Sequence, residues 1–211
     1  MIRRPFVNSK HRICIICEGF EEFHYIKRLL ELNVWNINYE FIPINVKSAS
    51  NIFPRYQDAY SNAKYEVIII FCDTDRKPFR EYYLIKDKIN KFHNNKLSSD
   101  NVIIFANPCT MLIILSHFDD VYLTSQAKKV NAPLVFRLTG IERYDAKEEQ
   151  IKKICNKIYR RNYIDMKKRI IPLNKSDENC NSTNFIKYIN YFENDDLKWI
   201  NDINKLLEKN I

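Results

Sequence analysis

The stretch RICIICEGFEEFHYIKRLL (residues 12–30) changes within a few positions from a continuous apolar run to a helical pattern. Residues 12–17 predict a buried strand, and residues 20–33 predict a helix, because their apolar positions recur every three to four residues. The inner positions of this helix are Phe23, Ile26, Leu29 and Leu30. Gly19, which follows Glu18 at the junction, is one of only two glycines among 211 residues. We therefore expect Gly19 to let the strand turn sharply into the helix, and a side chain there to crowd the space beside Glu18.

The alternation of strands and helices continues to about residue 120. Further strands are predicted at 39–45, 66–72 and 101–106, helices at 79–93 and 108–118, and a loop or a helix interrupted by Pro54 at 48–63. The run EVIIIFC (66–72) is typical of a strand covered on both faces, whereas Pro43 places its strand near a sheet edge. Such alternation predicts an α/β fold, with a Rossmann-like parallel sheet of about four strands flanked by helices. This core domain spans residues 10–120.

The second half of the chain, residues 121–211, has a different pattern. Helices are predicted near 145–164 and, in two pieces, over 183–209, with a polar loop around 172–182. Near 145–164 one helical face is apolar, formed by Ile151, Ile154, Cys155 and Ile158. We expect a helical extension that packs on the core through such faces and forms a lid or a binding arm.

Basic residues are concentrated in this extension. The formal net charge is +8, and residues 152–169 contain a single acid, Asp165. The candidate nucleic-acid-binding residues are Lys153, Lys157, Arg160, Arg161, Lys167, Lys168 and Arg169. A local excess of this kind suits a polyanion such as DNA or RNA, and a solvated helix face in a lysine-rich chain is the alternative.

Acidic residues follow two of the predicted strands. Glu18 follows the first, and Asp73 and Asp75 follow the third. Ligands bind beyond the carboxyl ends of parallel strands, and neighbouring strands lie only about 5 Å apart, so these carboxylates can share one ion if the two strands are adjacent. Glu22 lies in the first turn of the following helix and can point to the same place. A hard divalent cation, Mg²⁺ or Mn²⁺, resolves the repulsion among such carboxylates.

Several other residues are candidates for supporting roles at this edge. Arg76 and Lys77 follow the aspartates and can neutralise charge on a phosphate, and Asn107 can orient a metal-bound water. Each has an ordinary alternative, because Asp-x-Asp and Asn-Pro are also common turn and capping patterns. His117 lies in an apolar helical pattern and is predicted to be a core histidine.

The sequence argues against several classes of protein. It has neither a GxGxxG nor a Walker motif, so a nucleotide-binding fold is not indicated. Cys14 and Cys17 lie three apart in a strand and point to opposite faces, which predicts buried reduced thiols rather than a zinc site. No stretch approaches the roughly 18 apolar residues of a membrane span. These features predict a cytoplasmic protein without a membrane partner.

Three segments resemble a known family. CEGFEEFHYI (17–26) and IIIFCDTD (68–75) resemble the motifs of the Toprim domain, the metal-binding module of topoisomerases, bacterial primases and OLD-type nucleases. NPCTMLIILSHF (107–118) is similar to a segment of RloB-like and AbiLii-like proteins, which are small bacterial Toprim proteins encoded beside an ATPase and associated with phage defence. The resemblance covers roughly residues 10–120.

The resemblance implies a Mg²⁺-dependent nuclease that acts in anti-phage defence under the control of an AAA- or ABC-type ATPase. Glu18 would be a metal ligand or general acid/base, Asp73 and Asp75 would be metal ligands, and Glu22 would be a further acid. The alternative is a Toprim-fold regulatory or nucleic-acid-binding protein without catalysis. Met111 favours that alternative, because RloB-like proteins usually carry an acid at this position.

Overall fold

The computed structural model describes residues 10–75 and 77–208, so Arg76 and the last residues of the predicted 121–211 extension lie outside the described part. Its strands are β1 (His11–Cys17), β2 (Tyr39–Asn45), β3 (Val67–Asp73), β4 (Ile103–Asn107) and β5 (Ser182–Thr183). The helices of the core are α1 (Phe20–Glu31), α2 (Ile52–Ser61), α3 (Arg80–His93), α4 (Ser98–Val102) and α5 (Met111–Leu115). The later helices are α6 (Lys128–Thr139), α7 (Glu148–Asn156), α8 (Arg160–Ile170), α9 (Phe185–Glu193) and α10 (Lys198–Leu207).

The sheet has five strands in the order β2-β1-β3-β4-β5. β1 to β4 are parallel and β5 is antiparallel, which confirms the α/β Rossmann-like fold with a helical second half. Pro43 lies on β2 at the edge of the sheet, as its missing N–H requires. β1 and β3 are neighbours, with Cys17 opposite Phe71. β2 lies on one side of β1 and β3 lies on the other. The direction in which successive strands are added therefore reverses between β1 and β3.

The other edge of the sheet is closed mainly by side chains. β5 pairs only with Ala106 and Asn107 of β4. Farther along β4, the Asn184 amide replaces a strand: its Oδ1 accepts from Phe105 N at 2.9 Å and its Nδ2 donates to Ile103 O at 2.7 Å. The fifth strand was not predicted because two polar residues carry no strand periodicity.

The helices differ from the predictions in several places, and α4 (Ser98–Val102) was not predicted. The predicted helix 145–164 is broken after Asn156: Tyr159 is extended and caps α8, and Arg28 of α1 binds the Ile158 carbonyl in the gap through Nε at 3.0 Å and a terminal nitrogen at 2.8 Å. α6 was missed because it contains Pro133 and buries few of its side chains. Pro54 does not interrupt α2, since it lies in the first turn, where an N–H has no intrahelical acceptor.

The core covers both sheet faces, and every residue from Ile13 to Cys17 is fully buried. The second half packs directly on this core: α7 lies against α1, α9 against β4, and α10 against α4 and β3. The predicted apolar face of α7, including Ile151 and Ile154, is buried. His117 is a core histidine, as predicted, and bonds the Tyr25 hydroxyl at 2.9 Å. Among residues 10–75 and 77–208 there is no helix with the length and apolar character needed to cross a membrane.

Candidate metal centre

Glu18 and Asp73 meet at the carboxyl ends of β1 and β3. The Asp73 backbone N–H donates to Glu18 Oε2 at 3.2 Å. Thr110, at the start of α5, donates to Asp73 Oδ1 from both its backbone N–H and its hydroxyl, each at 2.7 Å. The structure therefore brings together the two strand ends that sequence reasoning selected, and the turn after β4 orients one carboxylate.

The first turn of α1 adds two further carboxylates. Glu22 Oε2 accepts from the Gly19 N–H at 2.8 Å, and Glu21 accepts from the Tyr144 hydroxyl. One carboxylate oxygen from each of Glu21, Glu22 and Asp73 lies within 4.8 Å of the others, so these residues can hold a metal ion. Glu21 was not selected from the sequence, although a second acid beside Glu22 in a helical turn at the sheet edge was the available signal.

The remaining predicted acids lie around this triad. A pocket of about 220 Å³ is lined by acids from both strand ends and from α1, namely Glu18, Glu21, Glu22, Asp73 and Asp75. Asp75 is exposed and also lines a neighbouring pocket of about 590 Å³ that contains Lys77. Lys77 is exposed there and does not line the triad's pocket. Arg76 lies outside the described residues.

The carboxylates hold protons more tightly than usual. Burial, followed by the charges of Glu22 and Asp75, raises the pKa of Glu18 to about 8. Burial, followed by the charge of Glu21, raises the pKa of Glu22 to about 7. The pKa values of Asp73 and Glu21 are also raised, chiefly by burial. A bound cation would lower these pKa values, because it favours the ionised form of each carboxylate.

The second half of the chain completes the site. Lys128 of α6 lines the acidic pocket, and its charge lowers the pKa of Glu21 and Asp75, opposing the effect of burial. Tyr144, which binds Glu21, precedes α7. Carboxylate oxygens are hard ligands of the kind that Mg²⁺, Mn²⁺ and Ca²⁺ take. The arrangement therefore fits a hard divalent cation.

Two residues expected to support the site behave differently. The strand turns into the helix at Gly19, as predicted, but the turn does not require glycine, because its φ of −144° and ψ of −161° are extended values that other residues adopt. A Cβ at Gly19 would lie 3.5 Å from Glu22 Oε2, an ordinary contact with the protein, while Gly19 itself lines the acidic pocket. Asn107 is buried, and its Nδ2 donates to the Asp177 carbonyl at 2.7 Å, which ties the 172–182 loop to β4.

The basic residues of 152–169 fall into two groups. The first group binds the protein itself, mostly through backbone carbonyls: Lys157 to Thr139, Arg160 to Leu32 and Asn33, Arg169 to Ser116, and Lys167 to the Glu193 carboxylate. The second group is Lys153, Arg161 and Lys168, which are exposed and make no hydrogen bond or ion pair with other residues in the described ranges. Only the second group is available to a ligand without rearrangement.

No protein-family model, no curated protein and no solved structure matches this chain.

Proposed function

We propose that this protein is a divalent-metal-dependent nuclease of the Toprim type, which hydrolyses phosphodiester bonds of DNA or RNA. The observation that carries the proposal is the convergence of Glu21, Glu22 and Asp73 within 4.8 Å at the carboxyl ends of β1 and β3. In open parallel sheets this boundary, where the strand order reverses, is the usual ligand position. Buried carboxylates that lack a compensating cation are costly, so the cluster favours a metal-dependent reaction.

A divalent cation in such a site supplies Lewis-acid stabilisation and an activated water. Glu21, Glu22 and Asp73 would hold it, and Thr110 and Tyr144 would orient two of these carboxylates through their hydrogen bonds. Glu18 accepts a hydrogen bond from the Asp73 N–H beside these ligands. A bound cation would favour its ionised form, the form that a general base requires. Asp75 would be a further ligand at the open side of the pocket. Lys128 would balance charge on the scissile phosphate.

Substrate binding is assigned to the exposed part of the basic segment. Lys153, Arg161 and Lys168 present charge to solvent on α7 and α8. Contacts of this kind give affinity without sequence specificity, because they neutralise the backbone phosphates and do not recognise the bases. The net charge of +8 agrees with a polyanionic substrate.

The wider role rests on the sequence resemblance. The Glu-Gly and Asp-x-Asp motifs carry the likeness to Toprim nucleases, and the Asn-Pro-Cys segment carries the likeness to RloB-like and AbiLii-like proteins. We therefore propose action in the bacterial cytoplasm in anti-phage defence, with a partner ATPase controlling the nuclease.

The test is cleavage of single- and double-stranded DNA and RNA by the purified protein with Mg²⁺ or Mn²⁺. Asp73→Asn should lower the cleavage rate by more than about 100-fold, because outer-shell partners alone are worth up to that factor. Asp87→Asn is the matched control, since Asp87 is an exposed residue of α3 paired with Lys91. Wild-type-like cleavage by Asp73→Asn would refute the proposal.

The non-catalytic alternative has a specific observation in its favour. Met111 is buried at the start of α5, where RloB-like proteins usually carry an acid. Three results together would establish the alternative. Metal ions would stabilise the wild type but not Asp73→Asn, the wild type would bind nucleic acid, and it would not cleave nucleic acid even in the presence of its ATPase.

A further inference from the structure

A second pocket lies on the opposite edge of the sheet from β2. It has a volume of about 480 Å³ and shares no lining residue with the acidic pocket. Its lining residues belong to α3, β4, α9 and the loop that follows α8, and they include Tyr82, Phe105 and Ile186. This volume lies within the range of small-molecule sites, about 300–1,000 Å³.

Lysines from three different elements line this pocket. Lys86 of α3 forms ion pairs with Asp100 at 2.9 Å and with Asp177 at 2.7 Å, so its charge is balanced. Lys187 of α9 is half-buried and donates to two uncharged oxygens, the Asp100 carbonyl at 3.3 Å and Asn101 Oδ1 at 3.1 Å. Its ammonium also lies over the rings of Tyr188 and Tyr191, and it forms no ion pair within the described part of the chain. Lys175 at the rim likewise bonds only the carbonyls of Ile170 and Ile171. Burial lowers the pKa of both Lys175 and Lys187.

A buried hydroxyl adds an independent indication. Ser99 lines the same pocket and is 0% exposed, and its Oγ has no hydrogen-bond partner among the described residues. Buried polar atoms are nearly always paired, so an unpaired one calls for an explanation such as a ligand. The unpaired Ser99 hydroxyl therefore lies just behind the pocket wall, and Lys175 and Lys187 form no ion pair with the described residues, unlike Lys86.

We propose that this pocket binds a small phosphomonoester, with the phosphate held by Lys187 and Lys175 and the organic part lying against Phe105, Ile186 and Tyr82. A phosphate offers several acceptor oxygens to donors from separate elements, and lysine is a common point-charge partner for it. The charged residues lining the pocket are three lysines and two aspartates, Asp100 and Asp177. The lining therefore has an excess positive charge, which a bound anion would neutralise.

This site is independent of the proposed nuclease chemistry, because none of its residues lies in the metal centre. Binding is therefore measured in EDTA, where a phosphate cannot be held by a metal ion. Calorimetric titration of the full chain with adenosine 5′-monophosphate should give saturable binding, and adenosine should not bind. Titration with inorganic phosphate separates the two sources of the group: binding of phosphate alone identifies a phosphate sensor, and a requirement for the nucleotide identifies an organic ligand.

The decisive variant is Lys187→Gln, which should weaken binding about tenfold, the effect of losing one charged hydrogen bond. Lys187→Arg keeps the charge and should retain binding within about threefold. Lys91→Gln is the matched control, because the Lys91 side chain is 76% exposed and pairs with Asp87 elsewhere on α3. The proposal is overturned if the wild type binds neither ligand at about 10 mM, or if folded Lys187→Gln binds as tightly as Lys91→Gln.

Discussion

Replacing Glu22 with glutamine should make the metal-free protein more stable at pH 8. Glu22 is 3% exposed and lies beside Glu21 and Asp73. Its Oε2 accepts the Gly19 N–H at 2.8 Å, and a glutamine oxygen can keep that bond. Glu22→Gln therefore removes one buried negative charge with little change in shape.

The expected size follows from the pKa of Glu22, which burial and Glu21 raise from 4.5 to about 7. Because the folded protein holds this proton more tightly than the unfolded chain, the wild type loses stability as pH rises from about 4.5 through about 7. The share of that loss that comes from Glu22 is about 3 kcal/mol and is nearly complete above about pH 7. The glutamine of Glu22→Gln does not titrate. The free energy of unfolding of this variant should therefore equal that of the wild type at about pH 4.5 and exceed it by about 3 kcal/mol at pH 8.

The measurement is urea unfolding of both proteins in EDTA at the two pH values. Glu31→Gln on the same helix is the control, because its exposed ion pair with Arg28 is worth less than about 1 kcal/mol. Added Mn²⁺ or Mg²⁺ should then reverse the order, since it stabilises the wild type but binds the variant weakly. Equal pH dependence in the wild type and Glu22→Gln would refute the account of a strained carboxylate cluster.

Three further predictions concern the carboxylate cluster, the hydrophobic core and the exposed basic residues. Tyr144→Phe should lower metal affinity about tenfold or more by calorimetry, because Glu21 loses its orienting hydrogen bond; unchanged affinity would exclude that role. Phe185→Ala should destabilise the fold by about 3–5 kcal/mol, since Phe185 is fully buried. Phe136→Ala, at a side chain 51% exposed, should stay within about 0.5 kcal/mol in the same unfolding assay. Arg161→Gln should lower the salt dependence of nucleic-acid binding by about one ion, and an unchanged slope would remove Arg161 from the interface.

Both halves of the chain contribute to the candidate metal centre. Glu18, Glu22 and Asp73 belong to the core, whereas Lys128 and Tyr144 come from the helical extension. The extension is also held to the core by Arg28 of α1, which binds the Ile158 carbonyl.

The elements that sequence reasoning predicted well are those whose signal is local. The run from Ile13 to Cys17 is apolar at every position because the strand is covered on both faces, and its exit into α1 is visible from the change of period. Glu18 and Asp73 were placed at one edge because parallel strands end together, provided that β1 and β3 are neighbours. That single condition was met.

The features that escaped sequence reasoning depend on contacts between distant parts of the chain. The Ile158 carbonyl between α7 and α8 is bound by Arg28, more than a hundred positions away, and α6 carries little apolar periodicity because it buries few side chains. Glu21 enters the metal centre because Tyr144 and Asp73 reach it from other elements. The sequence by itself determined the α/β fold and the acidic sheet edge, since both follow from periodicity and strand direction. Only the tertiary structure decided which carboxylates meet and which lysines stay free, since those outcomes depend on long-range packing.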